Sequence, residues 1–284
     1  MTIAVVGDVH GHLALLFAIL GRWQREHGET IDVILQVGDL GAFLPTSFID
    51  TATRRHAERD PEELGFGEFA GASPPRTALD PRPPLIFIPG NHEDFEYLDE
   101  RERQAGATGA VYPVSQDGRI LALRSGRVLD QRLGEESIRI AGISGVSGRE
   151  RKRARHPRVH LDENEVLALA ARGPGAAQIL LTHEAPTGLA EFRRHGVGSE
   201  ALRMLVEELR PALAFFGHHG ESGEWTIGAT RVVALADCGY PRTRDGHVAR
   251  DAIAIVRWEH GCRSVDYVRD DWLREATRTS WRRW

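Results

Sequence analysis

The chain has 284 residues, of which 41% are hydrophobic and 27% are charged, as is usual for a globular protein. A formal net charge of -5 excludes a general electrostatic attraction to nucleic acid or to an anionic membrane. No apolar stretch approaches the ~20 residues that cross a bilayer, so we expect no membrane segment. The two cysteines cannot make a disulfide framework, and this favours a cytoplasmic location.

The N-terminal part of the chain alternates between strand-like and helix-like patterns. Short apolar runs at Ile3–Val6, Val33–Val37 and Leu85–Ile88 predict strands, and each run ends at a polar motif. The apolar spacing of Leu13–Arg25 predicts a helix. This βαβ order predicts an α/β fold with a largely parallel sheet and crossover helices.

A polar segment, residues 51–84, interrupts this alternation. Its six prolines make continuous regular structure unfavourable. Loops of this length inside compact domains are usually functional lids or disordered segments. The sequence is therefore compatible with a lid over a site or with a mobile insert.

The rest of the chain predicts further short elements. Short strand-like runs at Ile120–Leu123, Val128–Leu133 and Ile138–Ile143, separated by turn signals at 125–126 and 134–136, predict an antiparallel meander. Later patterns predict helices at 162–171 and 199–209, with Ser199 as an N-cap, and strands at 226–227, 231–235, 252–258 and 264–268. Two more strands are expected to end at Thr182 and Phe216.

No internal repeat and no linker interrupts the chain, so we expect a single domain over residues 1–284. The tail, residues 270–284, contains three tryptophans among arginines. This composition predicts a terminal helix that packs its aromatic rings on the body of the domain.

Five short motifs occur in order, and most of them directly follow a predicted strand. They are Gly7-Asp8-Val9-His10-Gly11, Gly38-Asp39, Gly90-Asn91-His92-Glu93, His183 after Thr182, and Gly217-His218-His219. Ligands of α/β sheets usually bind at the carboxyl ends of strands, so we expect these side chains to converge. Each motif alone occurs by chance in many chains, but the ordered set indicates one site.

These residue types suit a site that cleaves phosphoesters with two divalent cations. Two cations about 3.5–4 Å apart activate a bridging water and neutralise charge on the phosphoryl group. Asp8 and His10 lie two positions apart at a strand end and can share one cation, and Asp39 is the expected bridging carboxylate. The expected ligands of the second cation are Asn91, His183 and His218.

Other polar residues are expected to support the reaction. His92, beside Asn91, is the expected proton donor to the leaving oxygen, because imidazole transfers protons near neutral pH. Glu93 and Glu184 are expected to have supporting roles. Arg149 and Arg151 begin a basic run, residues 149–158, that either binds substrate phosphates or forms a solvated, charge-rich loop.

The ordered motifs resemble those of the calcineurin-like metallophosphoesterase superfamily, whose pattern is Asp-x-His, Gly-Asp, Gly-Asn-His-Glu/Asp, His and Gly-His-x-His. The resemblance extends from Asp8 to His219 and covers most of the chain. It implies a four-layer α-β-β-α sandwich of two mixed β-sheets flanked by helices. One position departs from the pattern, because Gly220 stands where the last histidine is expected. Either His219 turns inward as a substitute ligand or water takes that place.

Three stretches resemble the RNA lariat debranching enzymes in particular. They are Ile86–Glu93, Ile140–Gly145 and Val232–Cys238. Debranching enzymes commonly have cysteine where this chain has Asp8, so the chain has the more usual dimetal ligand set. Leu40-Gly41-Ala42-Phe43 follows Asp39 in place of the Asp-Arg-Gly segment of serine/threonine phosphatases.

The sequence therefore predicts a dinuclear phosphohydrolase in which a metal-bridging hydroxide attacks a phosphodiester, with a nucleotide or nucleic acid as the substrate class. We expect manganese, although iron and zinc suit the same mixture of oxygen and nitrogen donors. The alternatives are a phosphomonoesterase or nucleotide pyrophosphohydrolase on the same site. A non-catalytic metal-binding scaffold is a third interpretation, supported by the departure at Gly220.

Overall fold

A computed structural model describes residues 1–45, 49, 51–133, 135–148, 156–192, 197–239, 247–277 and 280–283. Within these residues, two mixed β-sheets pack face to face and helices cover their outer faces. The expected α/β sandwich of two mixed sheets flanked by helices is thereby confirmed. Among the described residues, no helix combines the length and the apolar composition that a membrane crossing requires.

The described residues form thirteen strands. These are β1 (Thr2–Val6), β2 (Val33–Gln36), β3 (Leu85–Phe87), β4 (Val111–Pro113), β5 (Ile120–Leu123), β6 (Val128–Leu133), β7 (Glu136–Ile143), β8 (Ile179–Thr182), β9 (Leu213–Phe216), β10 (Gly223–Ile227), β11 (Thr230–Ala234), β12 (Ile253–Trp258) and β13 (Cys262–Tyr267). The first sheet has the order β13-β12-β1-β2-β3-β5-β4, and the second has the order β10-β11-β9-β8-β7-β6.

The α-helices within the described residues are α1 (Leu13–His27), α2 (Thr51–Ala57), α3 (Phe66–Ala70), α4 (Phe95–Ala105), α5 (Glu163–Ala170) and α6 (Glu200–Leu209). Ser199 caps α6 as predicted, because its hydroxyl accepts a hydrogen bond from the N–H of Leu202. The polar segment 51–84 contains α2, α3 and a 3-10 turn at Pro61–Leu64.

Three apolar layers hold the sheets and helices together. The central layer lies between the sheets, where alternate residues of β1 and β2 meet side chains of β8 and β9. One outer layer packs α1 and α4 on the first sheet, and the other packs α5 and α6 on the second. Because residues alternate between the two faces of a strand, both faces of the central strands are buried. This explains why their sequences are continuous apolar runs.

The predicted antiparallel meander is wrong at its first strand. β5 belongs to the first sheet, where it runs parallel to β3 and antiparallel to β4. Only β6 and β7 form an antiparallel hairpin, in the second sheet. The chain crosses between the sheets at Ser125 and Gly126, where the Gly126 N–H donates to the carbonyl of Gly142. A short apolar strand fits either sheet equally well, so the local pattern could not assign β5.

The tail also differs in detail from its prediction. Within its described residues it forms two 3-10 segments, Asp271–Glu275 and Trp281–Arg283, where a helix was predicted. Trp272 and Trp281 are nevertheless buried against the layer that contains α1, so the predicted packing of aromatic rings is confirmed for these two.

Candidate metal centre

Five strands bring the predicted residues to one edge of the sandwich. β1, β2 and β3 are parallel neighbours in the first sheet, and β8 and β9 are parallel neighbours in the second. Three residues at these strand ends have left-handed backbone conformations, with φ of 45° at His10, 52° at Asp39 and 66° at His218. Such conformations cost on the order of 1–3 kcal/mol each and cluster at functional sites.

The carboxylate of Asp39 lies at the centre of the site. Its Oδ1 accepts hydrogen bonds from the backbone N–H groups of Asn91 at 2.7 Å and His92 at 2.8 Å. The Nε2 of His183 lies 3.3 Å from this Oδ1 and 3.0 Å from the side-chain oxygen of Asn91. The Nδ1 of His183 donates to the carbonyl of Val37 at 3.0 Å, and this bond directs Nε2 towards the two oxygens.

Two groups of potential metal ligands share Asp39. Ligand atoms of Asp39, His183 and His218 all lie within 4.8 Å of one another, and so do those of Asp8, His10 and Asp39. The ring centroids of His183 and His218 are 4.9 Å apart. The Nε2 of His10 lies 3.9 Å from Oδ2 of Asp8. The two ligand groups thus contain residues from four of the five motifs, and the third motif donates two backbone hydrogen bonds to the shared carboxylate.

Burial and charge set the protonation of the three histidines. Burial lowers the pKa of His10 and of His218 to about 4, so both rings are neutral near pH 7 and offer a lone pair. Burial also opposes a charged His183, but the charges of Asp39 and Asp8 outweigh it and raise the pKa of His183 to about 10. The ring between the two carboxylates is therefore protonated.

The donor set fits divalent cations. Carboxylate, amide and imidazole donors together suit manganese, iron or zinc. Burial raises the pKa of Asp8 well above its ordinary value, and the charges of Asp39 and Asp237 raise it further. Burial acts in the same direction on Asp39, but the His183 and His92 rings hold its pKa well below the ordinary value. Carboxylates this deeply buried require compensating positive charge, which a cation in each group would supply.

His92 lies beside these ligands. Its ring centroid is 5.8 Å from that of His10, in an edge-to-face arrangement. Its Nδ1 lies 3.5 Å from the hydroxyl of Thr53, a buried residue of α2. No sequence pattern linked Thr53 to the site, because it lies 39 positions away in the polar segment.

Glu93 supports the loop that carries Asp39. Its buried carboxylate accepts hydrogen bonds from the N–H groups of Leu40 at 2.8 Å and Ala42 at 2.7 Å. Burial and the charge of Asp39 raise the pKa of Glu93 to about 8, whereas the backbone N–H groups act in the opposite direction. Glu93 therefore holds the loop after Asp39 through two backbone contacts.

His219 has a different environment from His218. Its Nε2 lies 2.7 Å from Oε1 of Glu184, and its ring packs edge to face against Phe192. Glu184 also accepts a hydrogen bond from the N–H of Ala185 at 2.9 Å. Within the described part of the chain, the two ligand groups around Asp39 do not include His219.

A third cluster, which the sequence did not indicate, contains His12, Asp60 and Glu62. The Nδ1 of His12 donates to the carbonyl of Val9, and its Nε2 lies 3.4 Å from Oδ2 of Asp60. Glu62 forms an ion pair with Arg282 of the tail. Two carboxylates thus face one imidazole and one guanidinium, so we interpret this cluster as a structural ion-pair network.

The basic run is described only at its end. Residues 149–155, which include Arg149 and Arg151, lie outside the described residues. Arg158 forms ion pairs with Asp99 at 2.5 Å and Glu102 at 3.0 Å, both on α4. This arginine therefore links the end of the run to α4.

Substitution of Gly90 by alanine is expected to lower the content of bound metal. A Cβ at this position would overlap Oδ1 and the backbone nitrogen of Asp39 and would lie 2.8 Å from Nε2 of His183. The shared carboxylate must then move. Gly71→Ala is the matched control, because a Cβ there meets nothing within 4 Å. Metal analysis and circular dichroism check this, and full metal content in Gly90→Ala would contradict it.

Cation binding is expected to strengthen as pH rises. Near pH 7 a cation must displace the proton of His183, whose pKa is about 10, so affinity should rise by up to about tenfold per pH unit. Titration calorimetry with Mn²⁺ between about pH 6.5 and 8.5, in buffers of different ionisation enthalpy, measures affinity and proton release. Constant affinity without proton release would refute this.

Comparison with known proteins places this geometry in a family. Residues 1–221 match the family model of the calcineurin-like phosphoesterases. The lariat debranching enzyme of Drosophila melanogaster is 24% identical over 247 residues, which cover 77% of this chain and 42% of that protein. The lariat debranching enzyme of Arabidopsis thaliana is 22% identical over 276 residues, which cover 84% of this chain and 60% of that protein. The chain thus spans about half the length of these curated relatives.

A solved structure supports the same fold. The crystal structure of a protein from Thermus thermophilus aligns with a TM-score of 0.52 and 17% sequence identity, covering 83% of this chain and 89% of that one. This likeness shows the fold alone. The family model, in contrast, covers most of the chain and contains every residue of the two ligand groups. The chain therefore belongs to the calcineurin-like phosphoesterases.

Proposed function

We propose that this chain is a dinuclear metal-dependent phosphodiesterase. The main support is the pair of ligand groups that share the carboxylate of Asp39. When bound, two divalent cations supply the positive charge and the activated water that phosphoester hydrolysis requires. Asp8 and His10 would hold the first cation, and His183, His218 and Asn91 would hold the second. Asp39 would contact both cations.

Asn91 and His92 are proposed to act on the substrate. The side-chain oxygen of Asn91 faces His183, so its amide N–H groups are directed elsewhere and can donate to a phosphoryl oxygen. His92 protonates the leaving alcohol, since an imidazole beside the ligands can transfer a proton near neutral pH. Thr53 brings the polar segment 51–84 against His92, which supports this segment as a cover over the site.

The preference for diesters rests on the relatives. Lariat debranching enzymes are named for cleavage of a branched nucleic acid, and the chain is similar to two of them. The Leu40 to Phe43 segment, which follows Asp39, is buried and apolar where the serine/threonine phosphatases have Asp-Arg-Gly. We therefore propose a nucleotide or nucleic acid diester as the substrate, with manganese as the cation.

Both Cys238 and Cys262 are free thiols, which supports a reducing, cytoplasmic location.

Hydrolysis of bis-p-nitrophenyl phosphate and of p-nitrophenyl phosphate by the metal-stripped protein, before and after Mn²⁺ is restored, tests this function. Diester turnover should require Mn²⁺ and should exceed monoester turnover. Asp39→Asn should lower it at least about 100-fold, because both ligand groups lose their shared carboxylate. Preferential monoester turnover would favour the phosphomonoesterase instead. Absence of all turnover at full metal content would favour the scaffold.

His92→Gln is expected to separate poor from good leaving groups. The rate of cleavage of a dinucleoside monophosphate should fall about 10²–10⁴-fold, because its leaving alkoxide oxygen needs a proton. The rate with bis-p-nitrophenyl phosphate should fall much less, because its phenolate leaves without protonation. Metal content should not change. His260→Gln, with a side chain 84% exposed, is the matched control. Equal loss on both substrates would assign His92 a positioning role.

A further inference from the structure

The two ligand groups offer different numbers of donors. The group of Asp39, His183 and His218 gains a fourth donor from the side-chain oxygen of Asn91, 3.0 Å from Nε2 of His183. The group of Asp8, His10 and Asp39 has three. Divalent cations of this kind take at least about four ligands. The first cation therefore depends on protein groups or water beyond these three residues.

Gly220, which stands where the family pattern has a histidine, places no side chain near Asp237. Its φ of 65° is a conformation that residues with a Cβ rarely adopt. A Cβ at Gly220 would lie 3.4 Å from both carboxylate oxygens of Asp237. The carboxylate of Asp237 therefore lies against the space into which a side chain at position 220 would extend.

The fold holds Asp237 beside Asp8. Asp237 follows β11, which is parallel to β9, so it leaves the second sheet at the same edge as His218. The N–H of Cys238, the next residue, donates to the backbone carbonyl of Asp8 at 2.7 Å. The charge of Asp237 also acts on the Asp8 carboxylate. Asp237 is half-buried, so its carboxylate lies at the boundary between the site and solvent.

We propose that Asp237 completes the first cation site in place of a side chain at position 220. Asp237 lies outside the group of three whose ligand atoms are all within 4.8 Å of one another. It therefore acts as a positioning residue, which holds a water ligand of the cation by a hydrogen bond and adds negative charge. The inference deepens the proposed function and rests on the dinuclear centre.

Mn²⁺ binding to the metal-stripped full chain tests this inference. Equilibrium dialysis with metal analysis gives the number and affinity of the sites, and electron paramagnetic resonance distinguishes a coupled manganese pair from single ions. Asp237→Ala removes the carboxylate, and Asp237→Asn keeps its size and one hydrogen-bond acceptor. Asp266→Ala is the matched control, because it removes the same charge from a side chain that is 61% exposed on β13.

Wild type and Asp266→Ala are expected to bind two Mn²⁺ ions and to show the coupled signal. Asp237→Ala should bind the weaker ion about 10–100-fold less tightly, with the tighter ion unchanged and the coupled signal lost at Mn²⁺ concentrations that saturate wild type. Asp237→Asn should show a smaller loss, because its oxygen still accepts a hydrogen bond but carries no charge. If Asp237→Ala does not fold, the affinity of Asp237→Asn for the weaker ion tests the inference instead.

Two ions bound with wild-type affinity in the folded Asp237 variants would overturn the inference and leave the dinuclear centre in place. Fewer than two ions in the wild-type protein itself would instead refute the dinuclear centre. The two failures are therefore distinguishable in one set of measurements, and neither depends on catalytic activity.

Discussion

The site depends on the burial of one carboxylate, that of Asp39. Taking a charged group out of water is costly unless hydrogen bonds and opposite charge compensate for it. Two backbone N–H groups, from Asn91 and His92, and the protonated ring of His183 provide this compensation. Because these partners follow β3 and β8, Asp39 ties the carboxyl edges of both sheets together. Both ligand groups therefore include Asp39.

Proton binding and cation binding compete at this centre. His183 holds a proton near pH 7 that a cation would displace, whereas His10 and His218 are neutral. The proton on His183 thus balances the buried carboxylates, and we expect a cation to displace it more readily as pH rises. Asp237 adds a further negative charge near Asp8. Asp8 belongs to the first ligand group, which has fewer donors than the second.

Elements outside the sandwich also reach the site. Thr53 lies next to His92 of the third motif, and Asp60 lies next to His12, the residue directly after the first motif. Arg282 of the tail pairs with Glu62 of the same segment. These contacts anchor a proline-rich segment that the sequence alone could assign equally well to a lid or to a mobile insert.

The sequence by itself determined the family, the α/β class and the positions where strands give way to polar motifs. These features are local, because an apolar run followed by glycine and a metal-binding residue is visible without knowledge of distant contacts. Only the tertiary structure decided that β5 joins the first sheet, that His219 pairs with Glu184, 35 positions away, and that Asp237 lies against Gly220. Each of these depends on how two sheets pack, which brings together residues that no periodicity along the chain connects.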